Sequence, residues 1–177
     1  MRLEAAAQLE RLGLMDINPD IRAGTLPVGL RQMVEIARAL RHPSVSSKTS
    51  SGSKVLILDE PTSVLTPQAV DKLFVVLRRL AEQGCSILYI SHNLGVIARV
   101  SDRVGVMYAG QMVEAGPPEQ LFSQPRHPYT AALLQALPEH AAGAQRLHAL
   151  PGRVPGPTDR PHGCLFAPRC SRAQPPC

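Results

Sequence analysis

Val55-Leu56-Ile57-Leu58-Asp59-Glu60-Pro61-Thr62 decides how this chain is read. Four apolar residues run without a break into two adjacent carboxylates, and a proline ends the run. An unbroken apolar run suits a strand buried on both faces, as in the parallel sheets of α/β proteins. Two acids at the end of such a strand are costly unless a cation or a reacting water uses them. Ligands of open α/β sheets bind beyond the carboxyl ends of the strands. The bland alternative is a buried strand that ends in a solvated acidic turn.

Downstream, Thr66-Pro67 offers an N-cap and a proline at the first helical position. Val70, Leu73, Phe74, Leu77 and Leu80 then recur at helical spacing. Gly84 follows, and Cys85-Ser86-Ile87-Leu88-Tyr89-Ile90 reads as a second buried strand ending at Ser91-His92. If the two strands are sheet neighbours, Asp59, Glu60 and His92 converge on one edge. A short helix from about Leu94 to Val100 leads to a strand over Arg103–Tyr108. Ala109-Gly110 makes a turn, with Gln111–Ala115 as the hairpin partner. Strands alternating with helices predict βαβ units and a mainly parallel sheet.

Upstream, about Glu4 to Leu14 reads as a short helix with Ala5, Leu9 and Leu12 on one face, and Gly13 near its end. Leu26-Pro27-Val28-Gly29-Leu30 is a turn before a helical pattern from Arg31 to Leu40, which His42-Pro43 closes. Residues 44–53 are polar and low in complexity, and predict a flexible surface insertion.

The 177 residues suffice for one domain with a buried core. A hydrophobic share of 44% and a charged share of 19% fit a globular protein. Aromatics reach only 3%, with no Trp, so the core must be largely aliphatic. The net charge of +5 comes from scattered basic residues without aromatic interleaving, so no nucleic-acid partner is expected. No apolar run is long enough for a membrane-spanning helix, and Met1-Arg2-Leu3-Glu4 lacks the start of a signal peptide. Twelve of the 17 prolines lie at or beyond Pro117, which marks off a loop-rich tail.

In order and spacing, Leu26 to about Ala115 resembles the second half of an ABC transporter ATPase. Leu26-Pro27-Val28-Gly29-Leu30-Arg31-Gln32 stands where that family has its signature loop. Val55–Glu60 matches Walker B, Ser63-Val64-Leu65-Thr66 the D-loop, and His92 the switch histidine. The resemblance implies that Asp59 positions Mg²⁺, Glu60 activates the attacking water and His92 holds the γ-phosphate. Leu26, Pro27, Val28, Gly29 and Leu30, with Ser63, become the nucleotide-contacting positions, completing the ATP site of a second ATPase subunit across a head-to-tail dimer. The signature loop departs from the family pattern, with Pro27 in place of serine, Val28 of glycine and Leu30 of glutamine. Pro27 lacks both the hydroxyl and the N–H. This variant, and Thr66 where the D-loop usually ends in Asp, resemble importers of simple sugars and nucleosides.

The tail is similar to a different subfamily. Gln120-Leu121-Phe122-Ser123-Gln124-Pro125-Arg126-His127-Pro128-Tyr129-Thr130, Leu133–Pro138 and Gly163–Cys170 resemble the C-terminal region of oligopeptide and dipeptide importer ATPases. Cys164, Cys170 and Cys177, spaced C-x5-C-x6-C, suggest metal or cluster ligation rather than disulfides in a cytosolic chain. The subfamily resemblance makes an iron–sulfur cluster the candidate, with a fourth ligand still needed. Cys85, within a strand, reads as packing.

These 177 residues contain no G-x-x-x-x-G-K-S/T segment to cradle phosphates, and Gly52-Ser53-Lys54 is too short to replace it. The glutamine loop of the family is absent too. The expectation is therefore an incomplete P-loop NTPase-like ABC ATPase fold of α/β class, whose sheet keeps uncovered apolar edges. Residues 1–43 would belong to the helical subdomain, 44–54 to the insertion, 55–116 to the ATPase core and 117–177 to the extension. The resemblance implies ATP and Mg²⁺ as cofactors, permease subunits as partners and the cytoplasmic face of the inner membrane as the place of work, with peptides as cargo. Two rivals are an inactive or regulatory partner that lends a signature loop, and a DNA-repair or chromosome ATPase. The tail and the lack of coiled-coil heptads argue against the second.

Overall fold

The computed structural model describes residues 2–11, 13–15, 17–41, 54–137, 149–175 and 177. The insertion at 44–53 and the helical position Leu12 lie outside the described residues. The chain divides into two compact units, Met1–His92 and Asn93–Cys177.

The first unit opens with α1 (Arg2–Arg11), which ends ahead of the expected Leu14. Gly13 follows at φ 67°, a left-handed value that glycine takes without steric cost. A 3₁₀ turn at Ala23–Thr25 leads to α2 (Val28–Arg41). The helix starts three residues before the expected Arg31, because the Pro27 carbonyl accepts the Arg31 N–H at 3.0 Å and makes Pro27 its cap. Leu9, Ile17, Leu26 and Ala37 are buried and border one apolar cleft between these helices.

Next come β1 (Lys54–Asp59), α3 (Pro67–Glu82) and β2 (Cys85–Ile90). The Thr66 hydroxyl caps α3 by accepting the Ala69 N–H at 3.4 Å. Strands β1 and β2 pair in parallel, with Leu58 opposite Tyr89 and Asp59 opposite Ile90. Leu56 and Leu58 are buried, as are Leu73, Phe74, Val76 and Leu77 of α3. The opposite face departs from expectation. Val55, Ile57, Leu88 and Ile90 are 57%, 63%, 50% and 44% exposed. The apolar run is thus buried on one face only, since a single crossover helix covers a single face of a two-stranded sheet.

In the second unit, α4 (Leu94–Val100) precedes β3 (Val104–Tyr108) and β4 (Gln111–Gly116). These two strands form a separate antiparallel pair, so the expectation of a mainly parallel sheet holds only for β1 and β2. Ala109 and Gly110 take φ values of 48° and 82°. Two consecutive positive φ values are what a tight hairpin with right-handed strand twist requires. Helices α5 (Pro118–Ser123) and α6 (Pro128–Gln135) follow. Val104, Val106 and Leu121 form one core cluster, and Tyr108, Leu165 and Phe166 another.

Candidate functional site

The parallel pairing brings the carboxyl ends of β1 and β2 side by side, and with them Glu60 and His92. Glu60 is held in place from the backbone outward. Its N–H donates to the Ile90 carbonyl at 2.9 Å, one step past the last strand pair. Its carbonyl accepts the Ser63 N–H at 3.2 Å and the Ser63 hydroxyl at 3.0 Å. The residue sits at φ 45°, a left-handed conformation that costs a non-glycine residue about 1–2 kcal/mol. Such a cost persists only where the surroundings fix the backbone.

The Glu60 carboxylate is fully engaged. Its Oε1 accepts the His92 backbone N–H at 2.8 Å and lies 2.8 Å from His92 Nδ1. Its Oε2 accepts the Ser91 hydroxyl at 3.2 Å. Slight burial pushes this carboxyl up, but the His92 side-chain and backbone bonds and the Ser91 hydroxyl outweigh it, so the group is held below its ordinary value. Glu60 therefore stays an anion that grips the start of the segment after β2. Ser91 was not foreseen in the sequence. A serine next to a histidine carries no signal by itself, and its role appears only once β2 lies beside β1.

Asp59, the last residue of β1, is exposed at the same edge. A solvent-facing carboxylate is a hard oxygen donor of the kind Mg²⁺ takes singly or in pairs, with phosphate oxygens and waters filling the remaining positions. The donor chemistry present thus fits that ion.

Of the loop ahead of α2, Leu26 is buried while Pro27 and Val28 are exposed. Gly29 and Leu30 are half-buried in the first turn of the helix. A Cβ on Gly29 would stand 3.3 Å from Leu65 Cδ2 and 3.9 Å from the Val64 carbonyl oxygen. The loop therefore packs closely on the segment Ser63–Thr66. Ser63 itself is exposed, its hydroxyl turned back to Glu60.

Among the described residues no three His, Cys, Asp or Glu side chains form a group that could hold a metal ion. Cys164 and Cys170 pack against the Tyr108–Leu165–Phe166 cluster, and Cys170 Sγ accepts the Arg172 N–H at 3.3 Å. Cys177 is exposed. These surroundings explain two of the thiols as packing groups beside an aromatic core, and no chemical step is assigned to a cluster.

By comparison with known proteins, this chain belongs to the family of ABC-type peptide-import ATP-binding proteins. Residues 113–177 match the family described as the oligopeptide/dipeptide transporter, C-terminal region. A protein of Brucella melitensis biotype 1, named for peptide import and ATP binding, is 41% identical over 187 residues, covering 99% of this chain and 52% of that protein. A similarly named protein of Brucella abortus strain 2308 is 43% identical over 150 residues, covering 84% of this chain and 42% of its own length. The chain thus spans about half the length of the relatives it matches. Among solved structures, a nucleotide-free ATP-binding cassette from an ABC transporter superposes with a TM-score of 0.60 at 26% identity, covering 74% of this chain and 48% of that one. The ADP conformation of an ATP-binding cassette gives 0.58 at 27% identity, covering 73% and 48%.

Proposed function

We propose that this chain, which carries the C-terminal part of an ABC transporter ATP-binding subunit, supplies the hydrolytic side of an ATP site that drives peptide uptake. The observation that carries this reading is the Glu60 carboxylate clasped by His92 beside the exposed Asp59, at the carboxyl edge of a parallel strand pair. Similarity along 99% of the chain to proteins named for peptide import supports the cargo.

Asp59 would hold Mg²⁺, which when bound neutralises charge on the phosphates. Glu60, an anion at neutral pH, would orient and polarise the attacking water as it gives up part of its hold on His92. His92 is constrained by its own contact. With Nδ1–H given to Glu60, the ring can donate to a phosphate oxygen from Nε2 only as the imidazolium. The first-turn N–H groups at Val28, Gly29 and Leu30 would face the phosphates bound by a second ATPase subunit. Ser63 would stand in the same interface. Permease subunits complete the assembly at the cytoplasmic face of the membrane, to which the chain is peripheral. No described helix is long and apolar enough to cross a membrane.

The test is Glu60→Gln in the assembled transporter. ATP binding should persist while turnover falls by about 10²-fold or more, the usual worth of a positioned general base. Unchanged turnover would remove Glu60 from this role. The Val28-Gly29-Leu30 variant of the signature loop favours a second reading, an importer of sugars or nucleosides. Uptake competition between peptides and sugars decides between them.

A further inference from the structure

Tyr89 has no place in the chemistry above, yet its hydroxyl is spent on the turn that carries Glu60. It stands on the covered face of β2, opposite Leu58. Its ring lies 6.2 Å from that of Phe74 on α3. The phenol oxygen meets the Thr62 hydroxyl at 3.0 Å. Thr62 is two residues beyond Glu60, and Pro61 between them is fully buried. Burial pushes the Tyr89 phenol up, the Thr62 contact pulls it back, and the nearby Glu60 carboxylate adds to the rise, so the hydroxyl keeps its proton.

The backbone leading into Glu60 is fixed by its N–H on the Ile90 carbonyl. A left-handed residue also needs its outgoing side fixed, or the chain relaxes to negative φ. We propose that Tyr89 is a positioning residue whose hydroxyl pair with Thr62 holds the outgoing side of Glu60 and so keeps its carboxylate on His92 and Ser91. The consequence for turnover rests on the ATPase reading above; the positioning itself does not.

The test compares the full chain with Tyr89→Phe, Thr62→Val, Thr62→Ser and the Tyr89→Phe/Thr62→Val pair, without nucleotide. Amide hydrogen exchange at Glu60 and Ser63 and the His92 ring-nitrogen shifts are read by NMR. Tyr89→Phe and Thr62→Val should each speed exchange at those two amides about fivefold to tenfold, as loss of one net hydrogen bond implies. Both should move the His92 nitrogens toward free imidazole. The pair should match either single change, because both remove the same contact, and Thr62→Ser should behave as wild type. Unchanged amides and shifts, additive effects in the pair, or loosening spread evenly over β1, β2 and α3 would overturn the assignment. No readout involves ATP, so failure of the ATPase reading would leave this result standing. Thr62→Ser and Thr62→Val keep the test decisive if Tyr89→Phe folds poorly.

Discussion

Glu60 joins three constraints in one residue: a left-handed backbone, a carboxylate with three donors, and a place at the end of a strand. The donors favour its ionised form, so its carboxyl titrates below 4.5 in the folded chain. The unfolded chain then binds the proton more readily in acid. This contribution to stability is complete above 4.5, and it is lost as the pH falls through the lowered folded value. Urea unfolding followed from about pH 6 to pH 3 should lose part of its acid slope in Glu60→Gln. An identical slope would show that the carboxylate gains nothing from His92 and Ser91. At this scale the acids were legible, because two carboxylates closing an apolar run form a local pattern. The positive φ and the Ser91 contact were not, because both arise from a strand 31 residues away.

The clearest case among the elements is α6, which begins on a histidine. The Nδ1 of His127 accepts the Tyr129 N–H at 3.1 Å, so the ring caps the helix only while that nitrogen is bare. Glu114 of β4 accepts the N–H groups of Arg126 and His127 at 2.8 and 3.0 Å, tying the start of the helix to the hairpin. Burial pushes the Glu114 carboxyl up, yet it ends below its ordinary value. The Thr130 hydroxyl, which has no partner within hydrogen-bonding geometry, faces it, and the two N–H groups and His127 add to the lowering. For His127 burial prevails over the pull of Glu114, and the imidazole is held below 6.5. The unfolded chain therefore takes the proton first, and α6 should weaken as the pH drops below 6.5. His127→Asn, which caps without titrating, should flatten that dependence, and His127→Ala should cost about 1 kcal/mol at neutral pH. Protection of the α6 amides from exchange measures both, and a pH response retained in His127→Asn would refute the cap. Helices α1 to α4 and the Ala109-Gly110 hairpin were legible from periodicity, capping and turn residues, whereas α5 and α6 lie in the stretch that its prolines marked only as a loop-rich tail. Glu114 was not, because an acid in a strand carries no mark of the loop it will meet.

Across the whole molecule, the open apolar face of the first sheet is the main consequence. Val55, Ile57, Leu88 and Ile90 form a contiguous exposed surface, since Ile57 pairs with Leu88 and Val55 and Ile90 flank them. Parallel sheets are normally covered on both faces, and exposed apolar patches of this kind drive association. Ile57→Thr with Leu88→Thr places β-branched residues suited to a strand at both positions. The pair should reduce concentration-dependent association in sedimentation velocity; unchanged association would place the adhesive surface elsewhere. Here too the division between sequence and structure is physical. Apolar runs, caps, turns and paired acids act within a few residues, so the sequence alone determined where the strands and most helices lie and which family they resemble. Which strands pair, which face is left open, how Ser91, Tyr89 and Thr62 surround Glu60, and that two of the tail thiols pack beside an aromatic core were decided only by the tertiary structure. Those features join residues far apart in the chain, and nothing local encodes such a meeting.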